Sequence, residues 1–157
     1  MTESTLTATI NLLDGMAFLA TPGSGHELIL DAALQAGGAE CGPRPMEMLL
    51  VGLGGCTGMD VISILRKMRQ DVTNYEIRLR GDRATDHPKV FTSIEVEHVV
   101  RGRGLSIDAV RRAVELSATR YCSAAAMLGK VAQIHETYRV IDHATGSEHV
   151  GALAMAA

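Results

Sequence analysis

The chain has 157 residues, 46% of them hydrophobic, which fits one domain with a substantial core. Its formal net charge of -3 provides no global attraction for nucleic acid or an anionic membrane, so neither is expected as a partner. The first basic side chain of the Lys or Arg type is Arg44, and no uninterrupted apolar run reaches about 18 residues. We therefore predict neither an export signal nor a membrane span, and we expect a cytoplasmic protein.

Three cysteines are too few and too widely spaced for the disulfide framework of a small secreted protein. They are Cys41, Cys56 and Cys122. In a reducing compartment all three begin as thiols. The chain has no Trp, two Phe and three Tyr, so its core must be aliphatic and supplemented by the eight Met residues.

Residues 5–31 predict three short strands connected by turns. Asp14 and Gly15 lie between two apolar runs, and Gly tolerates the positive φ that a tight hairpin needs. A second turn falls at residues 21–25, so the three strands should form an antiparallel meander. Residues 35–45 are rich in Gly and Pro and predict a loop.

Residues 45–69 form the longest segment with helical periodicity. Pro45 suits the first turn, because its missing N–H would have had no partner there. Apolar residues at three- and four-residue steps place Cys56 on a face that should be largely buried. Each glycine in this helix costs about 1 kcal/mol relative to Ala, so another element must pack closely around Cys56. These glycines are Gly52, Gly54, Gly55 and Gly58.

Two later segments alternate between apolar and charged side chains and predict half-buried strands. Residues 75–80 place apolar side chains on one face and charged side chains on the other, and residues 90–100 repeat this pattern. The loop at residues 81–89 should join them as a long hairpin.

The C-terminal part predicts two helices followed by a last strand. Ser106 is a suitable N-cap for a helix whose apolar stripe extends to Tyr121. Cys122 follows directly and opens a second helix that should end at Gly129. Residues 132–140 predict the last strand.

This order of elements favours an α+β fold, because strands and helices do not alternate regularly. We predict a single domain over residues 1–141 and a flexible tail over residues 142–157. The N-terminal meander is too small to bury itself, and one apolar helix cannot be covered by two long strands alone. A homodimer with a shared core is therefore expected.

Two local strings resemble the OsmC/Ohr family of thiol-dependent peroxidases and their relatives. The first is PMEMLLVGLGGCTGMDV, which carries Cys56, and the second is RYCSAAAML, in which Cys122 opens a later helix. The resemblance covers nearly the whole chain, since the order of strands and helices is also similar. It implies the family's intertwined homodimer, with antiparallel sheets around a long central helix.

The resemblance also implies a chemistry for the cysteines. Cys56 would be the peroxidatic thiolate that attacks organic or hydrogen peroxide, and Cys122 the resolving thiol that condenses with the sulfenic acid to a disulfide. A dithiol or lipoyl-type reductant would then reopen the disulfide. The implied partners are a second copy of the chain, the peroxide and this reductant.

Two positions depart from the peroxidases of that family and place the chain nearer the divergent OsmC-like branch. Where they have Glu after Pro, this chain has Met46, and its acid is Glu47. Nine helical residues turn through about 900°, so Glu47 faces away from its own Cys56 and would act across a dimer interface. The family's Arg from the N-terminal strands is missing, which leaves Arg44, from either subunit, to stabilise the thiolate.

The remaining candidate residues are interpreted as structural. Asp60, one turn after Cys56, should be a solvated or capping carboxylate rather than a group that orients a ligand or water. Tyr121 should belong to the core, and Cys41 should be an incidental loop thiol. The histidines are scattered, so a zinc site would have to be assembled entirely by the fold. We predict no metal and no cofactor.

Two other functions stay open. A dimer cavity lined by Met and Leu would bind an apolar small molecule or an acyl chain, with passive cysteines. The missing N-terminal Arg and the displaced Glu47 favour this second hypothesis. A purely structural or scaffold role is favoured only without a cavity near Cys56. The leading hypothesis is the peroxidase.

Overall fold

The computed structural model describes residues 5–154. The chain divides into two compact units between Leu49 and Leu50. This boundary falls inside a helix rather than in a linker. A single domain over residues 1–141 therefore stays a prediction.

The N-terminal unit contains the predicted antiparallel meander. Its strands are β1 (Ala8–Leu12), β2 (Phe18–Pro22) and β3 (Leu28–Leu30), and they pair in that order. Gly15 adopts a φ of 56° at the first turn, as the hairpin signal predicts. Every residue of β1 is exposed, so apolar side chains such as that of Ile10 remain uncovered.

A buried carboxylate organises the loop after β3. Asp31 accepts hydrogen bonds from the backbone N–H groups of Ala32, Ala39 and Cys41, at 2.7, 2.9 and 3.1 Å. The Cys41 thiol donates to the same carboxylate at 3.1 Å. These hydrogen bonds, those from Cys41 most of all, lower the pKa of Asp31 to about 2. The Asp31 carboxylate in turn raises the pKa of Cys41. A short 3-10 helix, Leu34–Ala36, lies inside this loop.

The long helix α1 spans Pro45–Lys67 and confirms the predicted helix. Cys56 is half-buried in the single chain, at the edge of the buried face on which the periodicity places it. Near the cysteine the buried side carries two small residues, Gly54 and Thr57, as well as the large Leu53, and periodicity counting does not detect the small ones. The buried residues of α1 are Leu53, Gly54, Thr57, Val61 and Leu65. By length and composition α1 is also apolar enough to cross a membrane, a test that core helices of soluble proteins pass as well.

The C-terminal unit contains a four-stranded sheet in the order β4-β5-β6-β7. Its strands are β4 (Asp71–Arg83), β5 (Phe91–Arg103), β6 (Gln133–Asp142) and β7 (Ser147–Ala152). Two pairs are antiparallel, but β5 and β6 are parallel, so the predicted antiparallel arrangement is wrong for this sheet. β7 occupies part of the stretch predicted as a flexible tail, because it pairs along β6.

The crossover between β5 and β6 explains the parallel pairing, since parallel neighbours need a long connection. It contains α2 (Ile107–Leu116), a π-helical turn (Ser117–Tyr121) and α3 (Ser123–Leu128). Ser106 caps α2 as predicted, by accepting a hydrogen bond from the N–H of Ala109 at 3.2 Å. The helices α1 and α2 share a core with β5 and β6, which includes Val61, Leu65, Val100, Val110, Val114 and Val140.

Two of the four glycines of α1 allow the close approach that the sequence predicts. A Cβ atom on Gly54 would lie 2.7 Å from Leu79 Cδ1, and one on Gly58 would lie 2.7 Å from Ile77 Cδ1. The approaching element is therefore β4. The other two glycines have no atom within 4 Å of the equivalent position, so they are not explained by packing among the described residues.

Candidate functional site

Two helical segments of the C-terminal unit bring Cys56 and Cys122 together. Cys56 lies on α1, and Cys122 lies between the π-helical turn and α3. Their sulfur atoms are within 4.8 Å of one another. Both cysteines are free thiols. The fold thus joins two residues that sequence spacing alone does not pair.

Cys122 occupies the N-cap position of α3. Its Sγ accepts a hydrogen bond from the backbone N–H of Ala125 at 3.3 Å, and its side chain is almost fully buried. Burial raises the pKa of Cys122 to about 12; the N–H of Ala125 opposes this rise, and the adjacent Cys56 reinforces it. Cys122 is therefore protonated at neutral pH.

A carboxylate completes the cluster. Asp60 lies one turn after Cys56 on α1, and one of its oxygens is within 4.8 Å of both sulfur atoms. Its Oδ2 accepts a hydrogen bond from the Ser117 hydroxyl at 3.2 Å, and that hydroxyl lies 2.8 Å from the hydroxyl of Thr57. Thr57 and Ser117 are fully buried. These bonds fix α1 against the π-helical turn and hold Asp60 beside the thiols.

The two other predicted site residues lie at the start of α1. Glu47 accepts a hydrogen bond from the backbone N–H of Arg44 at 2.8 Å, which satisfies a donor that would otherwise be free at the helix terminus. The Arg44 guanidinium pairs with Glu40 at 3.0 Å. Both side chains are exposed. Their roles at Cys56 stay predictions.

Two interpretations of single residues are wrong. Asp60 belongs to the thiol cluster, and its four-residue spacing from Cys56 was the available signal. Tyr121 is 49% exposed rather than part of the core, and the Arg120 guanidinium lies 5.4 Å from its ring centre. The π-helical turn is wider than an α-turn, so the apolar stripe of α2 does not continue to Tyr121. Ser117 carried no signal in the sequence.

A second group of titratable side chains crosses three strands of the sheet. The Tyr75 hydroxyl lies 2.6 Å from His98 Nδ1, and His98 Nε2 lies 2.8 Å from Glu136 Oε2. His98 is fully buried, and Glu136 Oε1 has no hydrogen-bond partner within the described residues 5–154. Burial, followed by the charge of Glu136, raises the pKa of Tyr75. Tyr75 therefore remains neutral and can donate to His98.

A groove of about 760 Å³ runs between α1 and β4. Its walls are mostly apolar and include Val51, Met59, Ile62, Tyr75 and Leu79. Val51 is 58% exposed and Met59 is 74% exposed. This surface of the C-terminal unit is therefore apolar and open in the single chain.

Comparison with known proteins gives consistent matches. The family model described as OsmC-like protein matches residues 37–137. Protein YhfA of Escherichia coli strain K12 is 42% identical over 134 residues, which cover 85% of this chain and 97% of that protein. The crystal structure of a hypothetical protein from Aquifex aeolicus VF5 has a TM-score of 0.77 at 34% identity, covering 87% of this chain and 96% of its own.

A more distant structure shares the fold. It is the crystal structure of an organic hydroperoxide resistance protein OsmC from Legionella pneumophila, with a TM-score of 0.67 at 13% identity. The match covers 89% of this chain and 98% of that one. The mixed α+β architecture with two sheets is thus common to these proteins.

Proposed function

The chain belongs to the OsmC-like protein family, and on that premise we propose that it is a thiol-dependent peroxidase for organic or hydrogen peroxide. The observation that carries the proposal is the pairing of Cys56 and Cys122, whose sulfur atoms lie within 4.8 Å. The proposed disulfide needs two thiols that can reach bonding distance, about 2 Å, after a small movement. This cluster meets that requirement.

The proposed reaction has three balanced steps. The Cys56 thiolate attacks the terminal oxygen of the hydroperoxide, the O–O bond breaks, and the alkoxide or hydroxide leaves and takes a proton from solvent to become an alcohol or water, while Cys56 becomes a sulfenic acid. The Cys122 sulfur then attacks the Cys56 sulfur, and water leaves as the disulfide forms. Finally, a dithiol or lipoyl-type reductant gives two electrons and two protons, which restores both thiols and leaves the reductant as its own disulfide.

The environments of the two cysteines support these separate roles. Cys56 is half-buried and can be reached by a substrate, whereas Cys122 is almost fully buried. Burial raises the pKa of Cys122 and keeps it a thiol at neutral pH. Cys56 is therefore the nucleophile and Cys122 the resolving residue.

We assign the remaining roles to a homodimer. The apolar groove along α1 and the uncovered side chains of β1 would be buried by a second copy of the chain. In that assembly Arg44 stabilises the Cys56 thiolate and Glu47 assists across the interface. The reducing cytoplasm is the compartment in which this thiol chemistry turns over.

The catalytic proposal is tested with cumene hydroperoxide and dihydrolipoamide, by following peroxide consumption. Cys56→Ser should abolish turnover, while Cys41→Ser should leave it unchanged, since Cys41 is held by Asp31. Under limiting peroxide, intact-mass analysis should show the loss of two hydrogens in the wild type and a gain of one oxygen in Cys122→Ala. Full turnover by Cys56→Ser would refute the proposal.

The assigned cation is tested separately. Arg44→Gln should lower the rate of Cys56 oxidation about tenfold, because the attacking sulfur loses the positive charge that stabilises its anionic form. Arg103→Gln is the matched control, since Arg103 is an exposed cation of β5. Equal rates for the wild type and Arg44→Gln would remove Arg44 from the site.

The dimer is tested by its mass in solution. Met59 and Met127 are both 74% exposed, but only Met59 lines the groove. Met59→Glu should therefore dissociate the dimer in light-scattering measurements, and Met127→Glu should not. A monomeric wild type, or a dimer that survives Met59→Glu, would contradict this interface.

The second candidate function is the binding of an apolar small molecule or acyl chain. The groove along α1 favours it, because about 760 Å³ lies within the usual range of ligand pockets. Thiol reactivity separates the two functions. If the protein only binds ligands, Cys56 should react with an alkylating reagent no faster than a model thiol of pKa about 8.5 at every pH.

A further inference from the structure

We propose that, in the reduced protein, Cys56, Asp60 and Cys122 form a binding site for one zinc-class divalent cation. One ligand atom from each residue lies within 4.8 Å of the other two. Two sulfurs and one carboxylate oxygen are among the ligands that zinc takes in proteins. The site goes beyond the proposed peroxidase, and metal binding does not depend on that activity.

The spacing of the three atoms suits a tetrahedral ion. With Zn–S bonds of about 2.3 Å, two tetrahedral sulfur ligands lie about 3.8 Å apart. The ligand atoms of the cluster are within 4.8 Å of one another. Side-chain rotations that move these atoms by up to about 1 Å would therefore bring them to bonding distance from one ion. Cys56 and Asp60 come from successive turns of α1, and Cys122 comes from the start of α3. The fourth position is left for water.

Hydrogen bonds from neighbouring groups fix two of the three proposed ligands, Asp60 and Cys122. The Ser117 hydroxyl donates to Asp60 Oδ2 at 3.2 Å, which orients the carboxylate. The N–H of Ala125 donates to Cys122 Sγ at 3.3 Å and favours its thiolate form. Such outer hydrogen bonds are typical of protein metal sites.

Charge also favours a cation here. Two thiolates and one carboxylate carry a formal charge of -3, and a divalent ion would balance most of it. Binding replaces the two thiol protons, which pass to solvent. Because two thiol protons must leave, affinity should fall as the pH is lowered. Cys56 and Asp60 are half-buried, so the ion has a route from solvent.

Metal binding and disulfide formation exclude each other, because both use the same two sulfurs. This consequence rests on the proposed function. One molecule of hydroperoxide and two protons would convert the metal-bound dithiolate into the disulfide, an alcohol, water and the free ion. The zinc-loaded protein should therefore be oxidised more slowly than the metal-free protein and should release its metal when it is oxidised.

The test titrates the reduced full-length chain with Cd²⁺ after chelator treatment and follows the ultraviolet charge-transfer absorbance of cadmium–thiolate bonds. Zn²⁺ affinity is then measured by competition with a chromophoric chelator. We expect one ion per chain. Since loss of an outer hydrogen bond costs about 10- to 100-fold, Cys56→Ser and Cys122→Ser should each lose at least about 100-fold, and Asp60→Asn about tenfold or more.

Cys41→Ser is the matched control and should bind as the wild type does. Disulfide-oxidised wild-type protein should show no cadmium–thiolate absorbance, a comparison that needs no substitution and so does not depend on how a variant folds. Absence of binding by the reduced wild type, or wild-type affinity in Cys56→Ser, would overturn the site. Wild-type affinity in Asp60→Asn would remove the carboxylate from it.

The two proposals can fail independently. Peroxide turnover is measured with excess chelator present, and metal binding is measured with no peroxide present. Stoichiometric Cd²⁺ binding without peroxide turnover would refute the peroxidase and leave the metal site. Peroxide turnover without Cd²⁺ binding would refute the metal site and leave the peroxidase.

Discussion

The buried thiol of Cys122 predicts a specific loss of stability at alkaline pH. Its pKa rises from an ordinary value of 9.0 to about 12 in the folded chain, chiefly through burial. Unfolding exposes the thiol, which then releases its proton above pH 9. The stabilising contribution is therefore fully present below pH 9 and is lost as the pH rises toward 12.

The magnitude follows from the same two values. Each pKa unit corresponds to about 1.36 kcal/mol, so the complete loss is about 4 kcal/mol. At pH 10 it is about 1.4 kcal/mol, and this figure depends on the pKa of the unfolded chain rather than on how far the folded value lies above it. We therefore choose pH 10 for the assay, because the expected loss there does not depend on the exact pKa of the folded chain.

Cys122→Ser is the matched variant, because serine is a preferred N-cap and keeps an acceptor for the N–H of Ala125. Urea unfolding of both proteins at pH 8 and pH 10, with chelator and a phosphine reductant, gives the two differences in unfolding free energy. The wild type should lose about 1.4 kcal/mol more than the variant. Other groups, such as Tyr75 with its raised pKa, titrate in both proteins and cancel. Equal losses would refute the assignment of the raised pKa to Cys122.

Three further predictions concern backbone contacts and the Asp31 carboxylate. Gly102→Ala should lower the unfolding free energy by about 1–3 kcal/mol in urea titrations, because its Cβ would lie 2.1 Å from the carbonyl oxygen of Asp71. Gly52→Ala, with open space, should cost nothing, and equal effects would contradict the contact. At pH 8 Cys41 should be alkylated more slowly than a model thiol, because Asp31 raises its pKa, and Asp31→Asn should increase the rate of alkylation. An unchanged rate in the variant would contradict the effect of Asp31 on Cys41. Between about pH 4 and pH 2 the unfolding free energy of the wild type should fall more than that of Asp31→Asn, because the pKa of Asp31 is about 2 in the folded chain and the variant has no carboxylate to protonate. Equal falls in the two proteins would contradict this prediction.

The elements with strong local signals were predictable. The meander, α1 and the Ser106 cap follow from turn residues, periodicity and a short polar side chain at a helix start. The strand β7 did not follow, because Ser147–Ala152 is a short polar and small-residue segment whose strand form comes from pairing along β6. The parallel pairing of β5 with β6 also depends on the tertiary structure, because the path of the crossover decides it.

The candidate site shows where a single sequence stops being informative. Cys56 and Cys122 were paired through a family resemblance, whereas their separation along the chain says nothing about distance. Asp60 was interpreted as solvated because most carboxylates are, and only the buried hydroxyl of Ser117 shows why this one is held beside the thiols. Helical periodicity gave no sign that Gly54 and Thr57 take buried positions beside Cys56, because large side chains usually mark such positions.

The crossover that carries Cys122 also bears on how fast the protein folds. The pairs β4–β5 and β6–β7 connect neighbouring segments, but β5 and β6 can align only after α2, the π-helical turn and α3 have crossed the sheet. Such non-local pairing is slow, since the entropy of closing the long connection is lost before its contacts form. Cys56 and Cys122 should therefore become cross-linkable late in refolding, and the appearance of their disulfide under mild oxidant would time the docking of the crossover.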